Sequence, residues 1–327
     1  TANTLIIQDG KIVVDEPSIV AINRRTGETI AVGSKAMQMH EKTHENIKTV
    51  RPLKDGVIAD FSAAESMIKG MIAMIGSRRR IFSHMKMVIC IPSGITEVEK
   101  RAVFESADHV DSKETYLIHE PMAAALGIGL DVEEPVGNMI IDIGGGTTEI
   151  AVIALSGIVC DQSIRTAGDE FTLDIMGHLK RQHNILIGER TAEQIKINVG
   201  SALQDLENPP DAYAVNGRDL MTGIPKQIMV KHDEVAHALD KSISKIEDSI
   251  LRALESTPPE LASDIYKTGL YLTGGGALLR GLDKRIGMKT KLPVHIADDP
   301  LRAVVRGTGI ALKNTHRFSF LMDRKSV

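Results

Sequence analysis

Asp142, Gly144, Gly145, Gly146, Thr147 and Thr148 stand together in one run, Asn138-Met-Ile-Ile-Asp-Ile-Gly-Gly-Gly-Thr-Thr-Glu149. Met139 to Ile143 is a short apolar run holding a single acid, and Glu149 to Leu155 is a second β-rich run. The pattern reads as strand, tight turn, strand. Consecutive glycines have no Cβ to hold a ligand away, so their N–H groups can point at an anion, and the two threonine hydroxyls add donors. Such a turn can cradle phosphate. Asp142, at the strand end, is placed to hold a hydrated Mg²⁺ through water, because hard cations prefer carboxylate and water oxygens. Taken alone, the run fits a glycine-rich hairpin equally well, and it is neither a GxGxxG fingerprint nor a Walker loop.

A second triple glycine, Gly274-Gly275-Gly276, follows Leu270-Tyr-Leu-Thr273 and precedes an expected helix from Ala277 to Ile286. Strand, glycines and helix N-terminus together gather backbone donors at one point, which suits a nucleotide's phosphates or sugar. Two such turns favour nucleotide binding over a coincidence of structural turns. Glu193 and Lys196 are one helical turn apart and, by spacing alone, read as a surface ion pair. His40 and His44 have metal-like i, i+4 spacing with no third ligand nearby, which favours a structural or solvent role.

The elements around these residues alternate. The chain opens with a strand to Ile7, an Asp9-Gly10 hairpin turn, a partner strand Lys11 to Val14 and a third strand Ser18 to Ile22. About 146 residues later the order recurs: Ile150 to Leu155, a Ser156-Gly157 turn, Ile158 to Cys160, then Ser163 to Thr166. This predicts two related halves whose polar turns face each other across a cleft, with a natural chain that extends further N-terminally. Between them, capping boxes at Ser62-Ala-Ala-Glu65 and Thr96-Glu-Val-Glu99 start helices, and Pro121 opens a third. In the second half a helix spans Glu170 to Gln182, Thr191-Ala-Glu-Gln194 caps another to Val199, and Asn208 to His232 reads as a small inserted subdomain. A long helix, Asp233 to Glu255, buries Val235, Leu239, Ile243, Ile246, Ile250 and Leu254. The alternation predicts an α/β fold with helices on the faces of a mainly parallel or mixed sheet.

The 327 residues, 43% hydrophobic and 25% charged, suffice for two domains. A net charge of −4 gives no global drive toward nucleic acid, and none is expected as a partner. Cys90 and Cys160 lie in separate apolar strands and read as core residues of a reducing cytosol. No stretch is long and apolar enough to span a bilayer, while peripheral attachment stays open.

Thr1-Ala-Asn-Thr4, Ile118-His-Glu-Pro-Met-Ala-Ala-Ala125, Asp142-Ile-Gly-Gly-Gly-Thr-Thr-Glu149, Gly188-Glu-Arg-Thr-Ala-Glu-Gln-Ile-Lys196 and Leu272-Thr-Gly-Gly-Gly-Ala-Leu-Leu-Arg-Gly281 occur in an order that resembles the MreB family of bacterial actin-like rod-shape proteins, over essentially the whole chain. The resemblance implies an actin-like ATPase fold: two ribonuclease H-like domains around a nucleotide cleft, each with a small subdomain. Domain I would be 1–137, with a subdomain at about 19–60, completed by a C-terminal helix at 300–327. Domain II would be 138–299, with a subdomain at about 178–235. It implies ATP or ADP with Mg²⁺ as ligands. Thr1, Ala2 and Asn3 would belong to the first phosphate loop, Gly144 to Thr147 to the second, Glu193 and Lys196 to the ribose contacts, and Gly274 to Ala277 to the adenosine pocket.

The implied function is a cytoplasmic, ATP-dependent filament at the inner face of the cell membrane, a slow ATPase that organises cell-wall synthesis, with itself, the membrane surface and cell-wall elongation proteins as partners. Glu120, beside Pro121, would position or deprotonate the attacking water; its bland alternative is a helix-start acid. Ile81 and Phe82, after Arg78-Arg79-Arg80, occupy the place of the family's membrane-binding loop. The family's first phosphate loop begins Asp-Leu-Gly just before Thr1, which implies that the chain as it stands is impaired in nucleotide handling and lacks the family's N-terminal membrane helix. A soluble phosphotransferase would need a catalytic Asp and a sugar-binding insertion, neither of which can be located. A chaperone-like ATPase would need a peptide-binding domain, for which no room remains after Arg317.

Overall fold

The computed structural model describes residues 2–75, 85–110 and 112–324. The chain forms two compact units, one of Thr1–Pro135, Ile153–Ile158 and Arg302–Val327, the other of Val136–Val152 and Val159–Leu301.

The first unit opens with β1 (Asn3–Gln8) and β2 (Lys11–Pro17), an antiparallel hairpin turned by Asp9 and Gly10, both at positive φ. Next come β3 (Val20–Asn23), β4 (Thr29–Val32), α1 (Ser34–Met39) and β5 (Ile47–Val50), with β3 central in a small antiparallel sheet. A two-residue ladder, β6 (Leu53–Lys54) with β7 (Val57–Ile58), leads to α2 (Phe61–Met74). That helix is capped by Asp60, whose carboxylate accepts from the Ala63 N–H at 3.0 Å, and not by Ser62. Glu65 is unavailable as a box partner because it pairs with Lys69 and His109. β8 (Met85–Ile91) and β9 (Ser112–His119) run parallel, joined by α3 (Glu97–Asp108) with the expected Thr96 capping box in place. α4 (Glu120–Gly127) follows directly, with Pro121 in its first turn, where a missing N–H costs nothing.

The second unit is built on β10 (Asn138–Ile143) and β11 (Thr148–Ala154), every residue of which is buried. β12 (Gly157–Ile164) is one continuous strand, so the expected third strand of the second repeat merges with its neighbour. The hairpin itself does recur: Leu155 and Ser156 take positive φ, 146 residues after Asp9 and Gly10. The turn therefore sits one residue earlier than Ser156-Gly157. α5 (Gly168–His183), β13 (Ile185–Leu186) and α6 (Glu189–Val199) come next. α6 starts at Gly188, ahead of the expected Thr191 cap, because Gly188 is extended and Glu189 fills the first turn. β14 (Tyr213–Asp219) and β15 (Pro225–Val230) form an antiparallel hairpin beside β13. The long helix α7 (His232–Ser256) buries Val235, Leu239, Ile243, Ile246 and Ile250, and α8 (Pro259–Thr268) leads into β16 (Leu270–Thr273). The expected helix after the second glycines is instead a 3-10 turn, Gly275–Leu278. It is broken at Gly281 (φ 73°), after which come α9 (Leu282–Thr290) and β17 (Val294–Ile296). The sheet order is β12-β11-β10-β16-β17.

The chain then returns to the first unit as α10 (Ala303–Lys313) and β18 (Met322–Arg324). The tail is thus not helical throughout: Phe318, Leu321 and Met322 are buried, and β18 pairs antiparallel with β9. α10 packs on α4 with backbones in near contact, since a Cβ built at Gly307 would lie 1.7 Å from the Ala123 carbonyl oxygen.

Candidate phosphate and cation site

β10 and β16 are adjacent and parallel, with Asp142 opposite Thr273. Both glycine turns therefore leave one edge of the sheet, at the carboxyl ends of its strands, where open α/β sheets bind ligands. The register lets the Thr273 hydroxyl donate to Asp142 Oδ1 at 3.0 Å, with Thr273 fully buried and Asp142 5% exposed. Burial pushes the Asp142 carboxyl up to about 6, against the pull of the Thr273 hydrogen bond. Ionised, it is a desolvated charge that, among the described residues, accepts a hydrogen bond from one neutral hydroxyl, an arrangement that a nearby cation relieves. Among the described residues no group of three or more His, Cys, Asp or Glu side chains could hold a metal ion. A single buried carboxylate at a strand end has the chemistry that a hydrated Mg²⁺ asks for, since that ion takes one or two carboxylates and keeps its waters.

The turn after β10 is closed by the Gly144 N–H donating to the Thr147 carbonyl at 2.9 Å. Two of its other carbonyls are held from outside: Gly144 O accepts from the Gly168 N–H at 3.1 Å and Gly145 O from the Asp169 N–H at 2.7 Å, both at the start of α5. The N–H groups of Gly145, Gly146 and Thr147 donate to no acceptor among the described residues. That is the donor set an oxyanion requires. Thr148 does not join it. Its hydroxyl donates to Thr166 O at 2.7 Å and the residue is fully buried, which leaves Thr147 as the hydroxyl at the turn.

The second glycine turn is bound to the first. Gly274 takes φ 79°, and a Cβ there would meet Asp142 Oδ1 and Ile143 O, each at 2.4 Å. A Cβ at Gly276 would lie 2.2 Å from Ile143 Cγ2, and one at Gly275 3.1 Å from Leu301 Cδ2. Ala277 is buried and closes the 3-10 turn by donating to Gly274 O at 3.3 Å.

Glu193 and Lys196 form the expected ion pair at 2.7 Å. The lysine does more than pair. Its ammonium also donates to Gly168 O at 2.8 Å and to Thr172 Oγ1 at 3.1 Å, at the N-terminus of α5. Glu193 keeps 43% of its side chain exposed, against 15% for Lys196.

In the first unit, Ala2 and Asn3 are exposed; Ala2 O accepts from the Ser18 N–H at 2.9 Å, and the Asn3 amide donates to Asp15 at 3.2 Å. Glu120 is half-buried and begins α4, with His119 at the cap. His40 Nδ1 is 2.9 Å from Thr49 Oγ1, and His44 Nδ1 accepts from the Asn46 N–H at 3.3 Å, so both histidines have local partners. Thr1, Ile81 and Phe82 lie outside the described residues. Among the described residues no helix is long and apolar enough to cross a membrane.

Residues 1–319 match the MreB/Mbl protein family. The chain belongs to that family. The cell shape-determining protein Mbl of Bacillus subtilis is 45% identical over 315 residues, 96% of this chain and 94% of that one. MreB5 of Spiroplasma citri, solved bound to AMPPNP, superposes with a TM-score of 0.90 at 39% identity, covering 97% of this chain and 95% of that one; it has also been solved with ADP. A MamK double helical filament has a TM-score of 0.79 at 21% identity, over 97% and 96% of the two chains, a likeness of fold alone. The fold is therefore actin-like, and the protein is a member of an actin-like, cell shape-determining family.

Within this MreB/Mbl chain, sequence reasoning missed Gly168, Thr172 and Thr273. Thr273 was legible, as the hydroxyl just before the second glycines. Gly168 was not, because the expected helix began two residues later, and Thr172 falls within that expected helix as an ordinary polar residue.

Proposed function

We propose that this chain is an ATP-binding, slowly hydrolysing actin-like protein whose nucleotide state controls its polymerisation. The observation that carries the reading is the turn Gly144–Thr147: three N–H groups that donate to no acceptor among the described residues, at the end of a buried strand, beside a buried carboxylate whose pKa is raised by desolvation. In this reading Gly144, Gly145, Gly146 and Thr147 hold phosphates, Asp142 holds Mg²⁺ through water, and Glu193 reaches the ribose. Gly274, Gly275, Gly276 and Ala277 shape the adenosine pocket, and Thr1, Ala2 and Asn3 contribute to the other phosphate loop. Asp142 would hold the ion, which would supply neutralisation of phosphate charge. The AMPPNP and ADP complexes of MreB5 support the nucleotide half of this reading in a relative. Sedimentation tests it: with Mg-ATP the protein pellets above a critical concentration. A protein that stays soluble with ATP at every concentration contradicts filament formation and favours the kinase or chaperone alternatives.

Glu120 is the proposed positioner of the attacking water. Phosphoryl transfer asks mainly for positioning and charge stabilisation, so Glu120→Ala keeps ATP binding while phosphate release falls at least about tenfold. Unchanged release removes Glu120 from the mechanism. Ile81 and Phe82 are proposed to seat the filament on the inner membrane surface, where it would meet cell-wall elongation proteins. Liposome flotation of Ile81→Ser plus Phe82→Ser filaments tests this, and flotation equal to the unmutated filament's rules the loop out.

A further inference from the structure

β8, β9 and β18 gather charge on one face of their sheet. The register sets it: Lys86 lies opposite Glu114 and Arg324 opposite Tyr116, and Glu114 and Tyr116, two residues apart in β9, share a face. α10 covers that face further along, where Cys90 Sγ and Thr308 Oγ1 are 2.7 Å apart. Past the end of α10 the cover is Thr315, His316 and Ser319, and between them and the four strand residues lies a cavity of about 400 Å³. That is room for a small ligand.

Part of the charge is already paired. Lys86 Nζ is 3.2 Å from Glu114 Oε2 and donates to Thr315 Oγ1 at 3.3 Å, and the Tyr116 hydroxyl donates to the same Glu114 oxygen at 3.1 Å. The Lys86 and Tyr116 hydrogen bonds hold the Glu114 carboxyl below the usual carboxylate range, so it stays ionised and committed to them. Arg324 is left over. Its guanidinium, 5.9 Å from the Tyr116 ring centroid, donates to no acceptor among the described residues, and the His316 ring has no partner among them either. Both residues are exposed, whereas Tyr116 and Thr315 beside them are each 9% exposed. With Lys86 and Glu114 cancelling, one positive charge remains, and the uncommitted groups are donors: the guanidinium, a His316 ring N–H, the Thr315 hydroxyl proton and the third Lys86 proton. An acceptor-rich anion complements that set. A carboxylate offers two oxygens; a phosphate monoester offers three, with up to two charges, and suits both the arginine fork and the lysine point charge.

We propose that the cavity between the β8–β9–β18 face and Thr315–Ser319 binds a phosphate monoester, with Arg324 as its anchor and Thr315, His316 and Lys86 as further donors. The site shares no residue with the Gly144–Thr147 turn. Its ester belongs to a soluble molecule or to the headgroup of a phosphatidic acid, and the probes separate the two.

The probes are glycerol 3-phosphate, glycerate, and phosphatidylcholine vesicles doped with phosphatidic acid. Binding to the 327-residue chain is read by NMR at the Arg324 Nε–H and by vesicle flotation. Arg324 is exposed, so its variants keep the fold. The proposal predicts Arg324-dependent binding of a phosphate probe: at least about tenfold weaker in Arg324→Gln, partly recovered in Arg324→Lys, and unchanged in Gly145→Val, which alters the glycine turn instead. Lys86→Met leaves Glu114 as an uncompensated acid in the cavity and weakens binding at least as much. Dependence on Arg324 for flotation alone makes the ester a lipid's; dependence for glycerol 3-phosphate, with or without flotation, makes soluble esters ligands. Glycerate bound as tightly as glycerol 3-phosphate overturns the proposal. So does phosphate binding that Gly145→Val abolishes and Arg324→Gln spares, and so does the absence of any Arg324-dependent binding of either phosphate probe.

Discussion

Gly274, at the head of the second triple glycine, has φ 79°, whereas Gly144, at the head of the first, is not among the glycines at positive φ. At the first turn, a Cβ on Gly144 would meet only the Thr147 carbonyl, at 3.3 Å. At the second, Cβ atoms on Gly274 and Gly276 would stand 2.4 Å from Asp142 Oδ1 and 2.2 Å from Ile143 Cγ2. The two turns end neighbouring parallel strands and share their letters, but the second lacks side chains so that it can close on the first strand, whereas at the first the proposed reason is room for a ligand. The lesson concerns inference from glycine runs: the residues report a close approach, and only the structure says whether the approaching group is phosphate or protein.

The comparison is broken most directly where the expected effect is largest. Gly274→Ala combines a positive φ with contacts no Cβ tolerates, and it should destabilise the apo protein by roughly 2–4 kcal/mol in urea unfolding. A change within error would show that the second turn has slack and that its glycines serve something else.

Asp142→Asn sharpens it with the opposite sign. Burial pushes the folded-state carboxyl up to about 6 from the ordinary 3.8 of an exposed aspartate, so the native state holds its proton more tightly than the unfolded chain. Stability then falls as pH rises through that window, and above it the ionised group costs up to about 3 kcal/mol. Asp142→Asn should therefore be more stable than the unmutated protein at pH 7.5 and no more stable at pH 4. With Mg-ATP at pH 7.5 the order reverses, because the unmutated site gains the ligand. An Asn variant that is less stable at pH 7.5 without ligand would mean that the buried charge is already compensated.

The smallest effect on the fold belongs to the first turn. If the first turn is kept free of side chains for the ligand, Gly145→Val should change apo stability by under about 1 kcal/mol, yet abolish pelleting with Mg-ATP. Unfolding would place Gly145 in the same class as Gly274, and normal nucleotide binding would remove it from the site.

How much was legible beforehand follows the same division. Asp142 and both glycine runs were readable, because a lone acid at the end of an apolar strand and consecutive glycines are unusual on their own. The alternation of strands and helices, and the long stripe from Val235 to Ile250, were readable because burial imposes period two and period 3.6. What the sequence hid depends on register and rotation. That Thr273 meets Asp142 follows from a parallel pairing of residues 131 apart. That Thr148 turns into the sheet while Thr147 stays at the turn follows from alternation in β11, whose first residue could not be placed to within one position. The Ser62 and Thr191 caps failed for a local reason: Asp60 and Gly188, each a few residues earlier, could also begin the helix, and the rest of the fold chose between them. The recurrence of the hairpin was visible, but its turn slid from Ser156-Gly157 to Leu155-Ser156, because left-handed geometry fell on residues that seldom adopt it.

The central claim is that the backbone amides of the first turn, and not those of the second, receive phosphate. Amide hydrogen exchange with Mg-tripolyphosphate, a probe without a nucleoside, tests it residue by residue. The account predicts that exchange at Gly145, Gly146 and Thr147 slows at least about tenfold on saturation while Gly275 and Gly276 keep their rates; saturable binding that leaves the 145–147 amides unprotected, or protects the second turn equally, would contradict it.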